Sequence, residues 1–482
     1  MLSLPQMSER AKHKLRKTAE VSLLLTAGAC LVLWLERIYY AISFVTPYMF
    51  TTTGCEEESL FSIWKFTQHQ PVYADPYRIP FAVSYFNWGY YYFYGSISSL
   101  WLHLLHLDAI WIPTIGRIIT IAFTLVTGGI FFLASRAIVK AGLLADGSIA
   151  WAWYLIATVS PLVGFWSITV RPEMGALAFE SAGLYAILCY LRKQDLRLII
   201  VAALLFYAAW AFKQSSVTML TGSVLTLVLL KRWRAFITLS TIWWILVIVT
   251  LIVGGPVYRE CLLFSQRSLP FSISYELLIS PKVPRRDPFF LLCLVVIAVW
   301  VWRNFRQLVS KPIEAALTLI VSFSFCFALI TSFKVGADDN YFIPAAWASM
   351  LGFALILEWT NARWVLAGLV LCSWMMTADI AHDFRKPSVY FDLRNSDTTY
   401  RAIAEKLSYL PGPAFVGDPY ANLPWVQRFS PHFVVAYAYL YDRQAGVPFE
   451  DDGWEGLARE GYFATLVLTQ EFSLPPLALQ RY

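Results

Sequence analysis

The chain has 482 residues, of which 58% are hydrophobic and only 15% are charged, and its mean hydropathy is +0.55. The surface of one soluble domain cannot cover that much apolar material, so the composition excludes an ordinary soluble protein and predicts a membrane protein. The formal net charge of +6 at pH 7 comes with no basic stripe of interleaved aromatic residues, which argues against nucleic-acid binding.

The N-terminus carries a basic tail that leads into a long hydrophobic stretch. This stretch exceeds the h-region of a signal peptide and has no small-residue cleavage site, so we expect it to stay uncleaved, with the tail in the cytoplasm. The basic residues of the tail are Arg10, Lys12, Lys14, Arg16 and Lys17.

Apolar windows of about 20 residues recur along the chain and predict about eleven transmembrane helices. The fold class is therefore a polytopic α-helical membrane protein. The windows are 21–41, 112–137, 149–170, 174–191, 198–212, 216–230, 236–257, 289–302, 313–333, 342–357 and 364–380.

Loop charges orient these helices, because basic loops favour the cytoplasm. Alternation then places four acidic segments and everything after Ala381 on the extracytoplasmic side. The basic loops contain Arg136 and Lys140, Arg192 and Lys193, Lys231, Arg232 and Arg234, and Arg303, Arg306 and Lys311; the acidic segments lie at Glu56, Glu173, 260–287 and Asp338 with Asp339. The short N-terminal tail and the lack of a retention signal favour a bacterial inner membrane.

An aromatic stretch at 85–94 is predicted to form an interfacial helix on the outer leaflet rather than another crossing. Tyr and Trp favour that depth, and counting a crossing here would place the basic loop at Arg136 outside. The first extracytoplasmic loop then runs from 46 to 111, which is long enough to carry function.

The composition becomes that of a soluble protein after the last apolar window. We predict a transmembrane domain over 1–381 and a small extracytoplasmic α/β domain over 382–482, which leans on the membrane domain because its own core is small. Its predicted elements are a helix at 398–410 capped by Asp397, and strands at 414–416 and 464–468.

Two cysteines, Cys55 and Cys261, fall in predicted extracytoplasmic loops, whereas most of the others lie in apolar windows. A disulfide between the two is compatible with an oxidising compartment, but spacing alone does not define a bridge. The six His form no ligand cluster, since His103 and His106 have no acidic or thiol companion, and zinc is not expected.

The most distinctive motif follows the first apolar window. Residues 53–58 read TGCEEE, and residues 70–76 read QPVYADP. This arrangement resembles the GT-C superfamily, including protein O-mannosyltransferases and lipid A aminoarabinose transferases, which have an acidic pair, a short helix, a G-x-x-Y-x-D turn, a proline and an aromatic juxtamembrane helix. Gln70 replaces the usual Gly of the turn, and Glu stands where Asp is usual.

Further similarities to the superfamily follow in order along the chain. They lie at 171–173 (RPE), at 213–214 (KQ) and at 339–342 (DNYF). The resemblance implies a glycosyltransferase that takes a sugar from a polyprenyl-phosphate donor, with Glu57 as the catalytic base and Glu56 as the second choice. The substrate-binding residues it implies are Asp75, Arg171, Glu173, Lys213, Asp339, Asn340 and Tyr341, and we add Arg117 from its position at the outer end of a predicted helix.

The chemistry agrees with these residue types. A carboxylate at the water interface can take a proton from an acceptor hydroxyl, and the departing phosphate needs cations. Arg117, Arg171 and Lys213 lie at predicted outer ends of helices, and Arg can grip phosphate bidentately. If 56–58 is helical, side chains project about 100° apart, so at most two of the three Glu face one pocket.

Plainer interpretations of the same residues stay open. The acidic run is also compatible with a solvated loop or a helix N-terminus, Arg171 and Glu173 with an ion pair, and Glu36 and Arg37 with a buried pair. Lys213 is harder to explain without a substrate or phosphate role, because it opposes the positive-inside trend.

Cofactors and competing functions are also open. The sequence is compatible with a divalent ion, Mg²⁺ or Mn²⁺, held by Glu57, Asp338 or Asp339. It contains no Gly-rich nucleotide motif, which agrees with a lipid-carried donor. The alternatives are a transporter or flippase of lipid-linked glycans, which usually shows duplicated halves, and a polysaccharide ligase or polymerase. The expected partners are membrane lipids, the donor, and a glycan, lipid or protein acceptor.

Overall fold

We describe the protein from a computed structural model. It describes residues 9–43, 56–139 except 80 and 82, 143–265 except 146, 267–357, 363–385, 409–416 and 436–467, with five more residues between 398 and 406.

The described part of the chain is mainly helical. In chain order the helices are α1 (Glu9–Ser43), α2 (Glu57–Thr67), α3 (Trp88–Leu104), α4 (Ile112–Ile138), α5 (Gly147–Val159), α6 (Pro161–Gly164), α7 (Glu173–Lys193), α8 (Arg197–Phe212), α9 (Thr218–Leu229), α10 (Trp233–Val253), α11 (Gly255–Arg259), α12 (Ile273–Ile279), α13 (Lys282–Arg286), α14 (Pro288–Asn304), α15 (Pro312–Ser332), α16 (Ile343–Leu357), α17 (Arg363–Arg385), α18 (Ala436–Gln444) and α19 (Gly453–Glu460). Short 3₁₀ turns include Phe305–Ser310 and Asp339–Phe342.

Eleven of these helices correspond to the eleven predicted windows. Eight of them, namely α1, α4, α7, α10 and α14 to α17, are long and apolar enough to cross a bilayer, and α5, α8 and α9 are shorter apolar helices. The prediction of a polytopic α-helical membrane protein is confirmed.

The outward faces of these helices are apolar, as lipid requires. Trp244, Ile245, Ile248 and Ile252 of α10 are each at least half exposed. Exposing a continuous apolar surface of this kind to water is unfavourable, whereas its contact with acyl chains carries no free-energy penalty.

The third window, 149–170, was predicted as one helix, and this is wrong for its second half. Helix α5 stops at Val159, because Pro161 has no N–H to donate and its ring clashes with the preceding turn. The residues from 160 to 172 form the short helix α6 and the turns after it, and they are almost entirely buried. Irregular backbone at membrane depth needs such burial and internal hydrogen bonds.

Side chains of neighbouring helices supply some of those hydrogen bonds. Thr120 Oγ1 donates to the carbonyl of Thr169 at 2.8 Å, and Thr124 Oγ1 donates to that of Ser167 at 3.1 Å. Helix α4 thereby holds the buried segment in place and presents its last residues, including Arg171, beside the start of α7.

Residues 88–94 of the aromatic stretch predicted as an interfacial helix form the first part of α3, whereas 85–87 precede the helix. The side chain of Asn87 caps this helix by accepting from the N–H of Trp88 at 2.8 Å. Tyr90, Tyr91 and Tyr94 are fully buried within the protein, whereas Phe93 on the other face is 40% exposed. Only one face of α3 is therefore available to lipid, and its interfacial depth stays a prediction.

The C-terminal region contacts the first long loop. Its two predicted strands are confirmed as a parallel pair, Ala414–Val416 with Thr465–Val467, whereas the predicted helix at 398–410 lies mostly outside the described residues. The N–H of Glu450 donates to the carbonyl of Tyr77 at 2.9 Å. The N–H of Ile79 donates to the Glu450 carboxylate at 3.0 Å. The boundary at 381/382 stays a prediction.

Candidate active site

The carboxylate of Glu56 connects four parts of the fold. Arg117 Nη2 lies 2.6 Å from Glu56 Oε2, and Arg117 Nε lies 3.2 Å from Oε1. The N–H of Val170 donates to Glu56 Oε1 at 2.7 Å, and Arg117 Nη1 donates to the carbonyl of Ala41 at 3.1 Å. The pair thus joins α1, the start of α2, α4 and the buried segment from 160 to 172.

This geometry places two predicted site residues away from any open surface. Glu56 and Arg117 are both fully buried, and their charges satisfy each other with bidentate geometry. Arg117 was predicted to contact a lipid phosphate, but here its guanidinium is committed to Glu56 and Ala41. The two residues are 61 positions apart, so sequence reasoning did not pair them.

The other two glutamates of the acidic run begin α2. Glu57 is the first residue of the helix, and its side chain lies outside the described part of the structure. Glu58 is buried and accepts hydrogen bonds from the Tyr91 hydroxyl and from the N–H of Tyr85, the latter at 3.1 Å. Burial raises the pKa of Glu58, although the hydrogen bond from Tyr91 and the charge of Arg171 oppose that rise.

A second charged group, which we call the Glu173 cluster, comprises Arg171, Glu173, Lys213, Asn340 and Tyr341. Lys213 Nζ lies 3.0 Å from Glu173 Oε1, and Arg171 Nη2 lies 3.6 Å from the same oxygen. Asn340 Nδ2 donates to it at 2.7 Å. Three segments that are far apart in sequence, and whose five residues the resemblance implied as substrate-binding, therefore come together.

Aromatic rings flank the two cations of the Glu173 cluster. Lys213 Nζ lies 4.9 Å from the centre of the Tyr341 ring, and the guanidinium carbon of Arg171 lies 4.7 Å from that of Phe86. Both distances suit cation–π attraction. The rings hold the cations in place without neutralising them.

The three ion-paired side chains of the Glu173 cluster, Arg171, Glu173 and Lys213, have a net positive charge. One carboxylate faces two cations, so the sum over these three side chains is +1. The Arg171 and Lys213 side chains keep 16% and 11% of their surface exposed, whereas that of Glu173 keeps 4%. An anion can therefore approach the two cations more easily than a cation can approach the carboxylate.

A small cavity of about 30 Å³ is lined by four residues of the Glu173 cluster, Glu173, Lys213, Asn340 and Tyr341. Glu180 of α7 also lines this cavity. Its Oε1 accepts from the N–H of Met219 at 2.7 Å and from Thr218 Oγ1 at 3.1 Å, and these two hydrogen bonds cap the start of α9. Three oxygens at the cavity have no hydrogen-bond partner, namely Glu173 Oε2, Glu180 Oε2 and Asn340 Oδ1. The volume suits one ordered water and excludes a phosphate, so an anion must approach the exposed edges of the cations.

Asp75 and Asp339, also predicted as substrate-binding residues, make other contacts. Asp339 accepts from Trp166 Nε1 at 2.9 Å and forms an ion pair with Arg286. Asp75 accepts from the N–H of Tyr77 at 3.0 Å within its own turn. Asp339 thus positions the start of α16, next to Asn340, and Asp75 shapes the loop after α2.

Two of the three acidic residues considered for a divalent ion, Asp338 and Asp339, lie against cations, and the divalent ion itself stays untested. Asp339 is paired with Arg286, and Asp338 Oδ1 lies 3.9 Å from Lys282 Nζ. Within the ranges that the structure describes, no three His, Cys, Asp or Glu side chains come together as a metal site.

Cys261 of the disulfide hypothesis lies just after α11 and contacts the loop after α2. Its Sγ donates to the carbonyl of Ala74 at 3.2 Å, and burial raises the pKa of the thiol to about 12. Cys55 lies outside the described residues, so its pairing with Cys261 stays untested.

The fold of this chain is similar to that of a solved membrane protein. The chain aligns with the crystal structure of ArnT from Cupriavidus metallidurans bound to undecaprenyl phosphate over 91% of each chain, with a TM-score of 0.54 and 13% sequence identity. It also aligns with arabinosyltransferase EmbB from Mycobacterium smegmatis over 70% of this chain and 30% of that one, with a TM-score of 0.39 and 15% identity. No protein-family model and no curated protein sequence matches. The GT-C membrane fold implied by the sequence motifs is confirmed.

Proposed function

We propose that this protein is a glycosyltransferase that moves a sugar from a polyprenyl-phosphate donor to an acceptor on the extracytoplasmic side of the membrane. The ArnT-like fold supports this proposal, because the solved ArnT structure holds undecaprenyl phosphate. The observation that carries it is the Glu173 cluster, in which two partly exposed cations exceed the one carboxylate they share.

Donor binding is assigned to the cations of the Glu173 cluster. The phosphate of the donor contacts the exposed edges of Lys213 and Arg171, where charge-assisted hydrogen bonds are short and strong. The polyprenyl tail stays among the acyl chains, where it needs no cover from water. Tyr341 and Phe86, which stack on the two cations, keep them directed towards the phosphate.

The transfer step needs a base at the acceptor and charge stabilisation at the leaving group. We assign the base to Glu57, which takes the proton of the acceptor hydroxyl while the hydroxyl oxygen bonds to the anomeric carbon of the sugar. The bond between that carbon and the phosphate oxygen breaks, and polyprenyl phosphate leaves with the electron pair. Lys213 and Arg171 stabilise the negative charge that develops there.

The contacts of Glu56 support placing Glu57 near the cations. Glu56 accepts from the N–H of Val170, which directly precedes Arg171 in the chain, so the start of α2 is tied to the edge of the Glu173 cluster. Glu56 itself is assigned a positioning role, because its carboxylate is fully paired with Arg117. No step is assigned to a metal ion.

The proposal is tested by the lipid-linked glycans of a strain that lacks the gene. Mass spectrometry of membrane extracts should show a polyprenyl-phosphate sugar that accumulates without the protein, and this lipid also identifies the sugar. Expression of the wild-type gene in this strain should remove the accumulation, and so should expression of the control variant Arg267→Gln, which changes an exposed arginine. Expression of the Lys213→Gln variant should leave the lipid accumulated. Lipid extracts identical to those of the wild-type strain would contradict the proposal.

A further inference from the structure

A wide groove lies between α14 and α15, at the end of the helices remote from the Glu173 cluster. Its volume is about 950 Å³. Helix α14 begins beside Asp339, which pairs with Arg286, and its 17 residues carry the chain about 25 Å away from that point. The groove is therefore separate from the proposed active site.

The walls of the groove are the apolar faces of two helices. Leu294, Ile297 and Val301 of α14 line one side, with the three- and four-residue spacing of a single helix face. Val321 and Phe325 of α15 line the other side at the same spacing. From Leu294 to the end of α14 the groove is about 15 Å long, which is half of a bilayer hydrocarbon core of about 30 Å. Its length suits the acyl chains of one leaflet.

Two arginines lie at the end of the groove where a headgroup would be. Arg303 and Arg306 line the groove there and are exposed, and Asn304 and Gln307 line it beside them. No acidic residue lines the groove, and within the described part of the chain neither arginine forms an ion pair. Trp302, which directly precedes Arg303, is 88% exposed, as is typical of a residue at the headgroup level.

We propose that this groove binds an anionic phospholipid of the adjacent leaflet, which the loop charges predict to be the cytoplasmic one. The acyl chains lie between α14 and α15, and the phosphate contacts Arg303 and Arg306. The apolar walls do not select a lipid, because every phospholipid offers the same chains. The arginines favour an anionic lipid over a zwitterionic one. Each arginine raises the affinity ratio about fivefold, and the two together raise it about 30-fold.

The test compares lipids of equal chain length on the purified full-length protein. Native mass spectrometry should show phosphatidylglycerol bound about 30-fold more tightly than phosphatidylcholine. The double variant Arg303→Gln and Arg306→Gln should lose this preference. The matched control Arg232→Gln and Arg234→Gln, which removes two exposed arginines at the start of α10, should keep it.

A second variant tests the groove without a change of charge. Ala298 lines the groove and is exposed, so Ala298→Trp should fill the space and reduce phosphatidylglycerol binding at unchanged thermal stability. Equal binding of the two lipids by the wild type, or full retention of the preference by the double arginine variant, would overturn the proposal. Binding of undecaprenyl phosphate with no phosphatidylglycerol would assign the groove to the donor tail and overturn it as well.

Discussion

The Glu173 cluster allows the effect of a mutation on folding to be separated from its effect on donor binding. Lys213 and Glu173 form one buried ion pair at 3.0 Å, so Lys213→Gln and Glu173→Gln break the same pair from its two sides. They change the charge available to a phosphate in opposite directions. The sum of +1 over Arg171, Glu173 and Lys213 becomes 0 in the first variant and +2 in the second.

The expected loss of stability is similar in the two variants. Removing one partner of a buried pair costs about 3–5 kcal/mol in unfolding free energy. We expect the lower end, about 3 kcal/mol. Glu173 keeps Arg171 and Asn340 when Lys213 is changed, and a Gln at position 173 still offers Lys213 an oxygen.

The expected changes in donor affinity differ. A hydrogen bond to a charged group contributes about 1.5–3 kcal/mol, so Lys213→Gln should weaken binding of undecaprenyl phosphate roughly 10- to 100-fold. Glu173→Gln should leave the affinity unchanged or raise it, because the phosphate then faces two cations without their shared carboxylate.

The assay is a titration of detergent-solubilised protein with undecaprenyl phosphate, followed by native mass spectrometry, with thermal melting of each variant alongside. Arg267→Gln, at an exposed ion pair with Glu260, is the control for removal of a positive charge. If Glu173→Gln lost as much affinity as Lys213→Gln, the binding loss would follow from instability, and the charge argument would be refuted. Unchanged binding by Lys213→Gln would remove this residue from the site.

Three further predictions concern other parts of the chain. Glu57→Gln should slow sugar transfer roughly 10²- to 10⁴-fold at unchanged melting temperature, since it removes only a base. Glu56→Gln should mainly lower the melting temperature, because it leaves Arg117 buried without its carboxylate. The opposite pattern would exchange the roles of the two residues. Burial lowers the pKa of Lys65 from 10.5 to about 8, so the unfolded chain binds more protons between these values and stability should rise with pH across that window. Thermal melting at pH 7 to 10 should show this rise in the wild type and a smaller one in Lys65→Met, and equal curves would contradict the assignment. A periplasm-specific reporter fused after Ala381 should be active, and activity of a cytoplasm-specific reporter there would reverse the topology.

The transmembrane helices were predictable from the sequence because apolar length is a property of one continuous segment. All eleven windows correspond to helices, and the one large error, in the second half of window 149–170, carried a visible signal in Pro161. The residues of the Glu173 cluster were also predicted individually, because charges at the ends of apolar helices are conspicuous and the motifs resembled a known superfamily.

The partners of these charges were decided by the tertiary structure. Glu56 pairs with Arg117 across 61 positions, Glu173 bonds to Lys213 across 40 and to Asn340 across 167, and Glu58 accepts from Tyr91 across 33. A sequence motif presents the three glutamates at 56–58 as equivalent acids. Packing distinguishes them, because a buried charge is tolerated only where another part of the chain supplies its counter-charge or hydrogen-bond donors, and which part arrives there depends on how the helices pack.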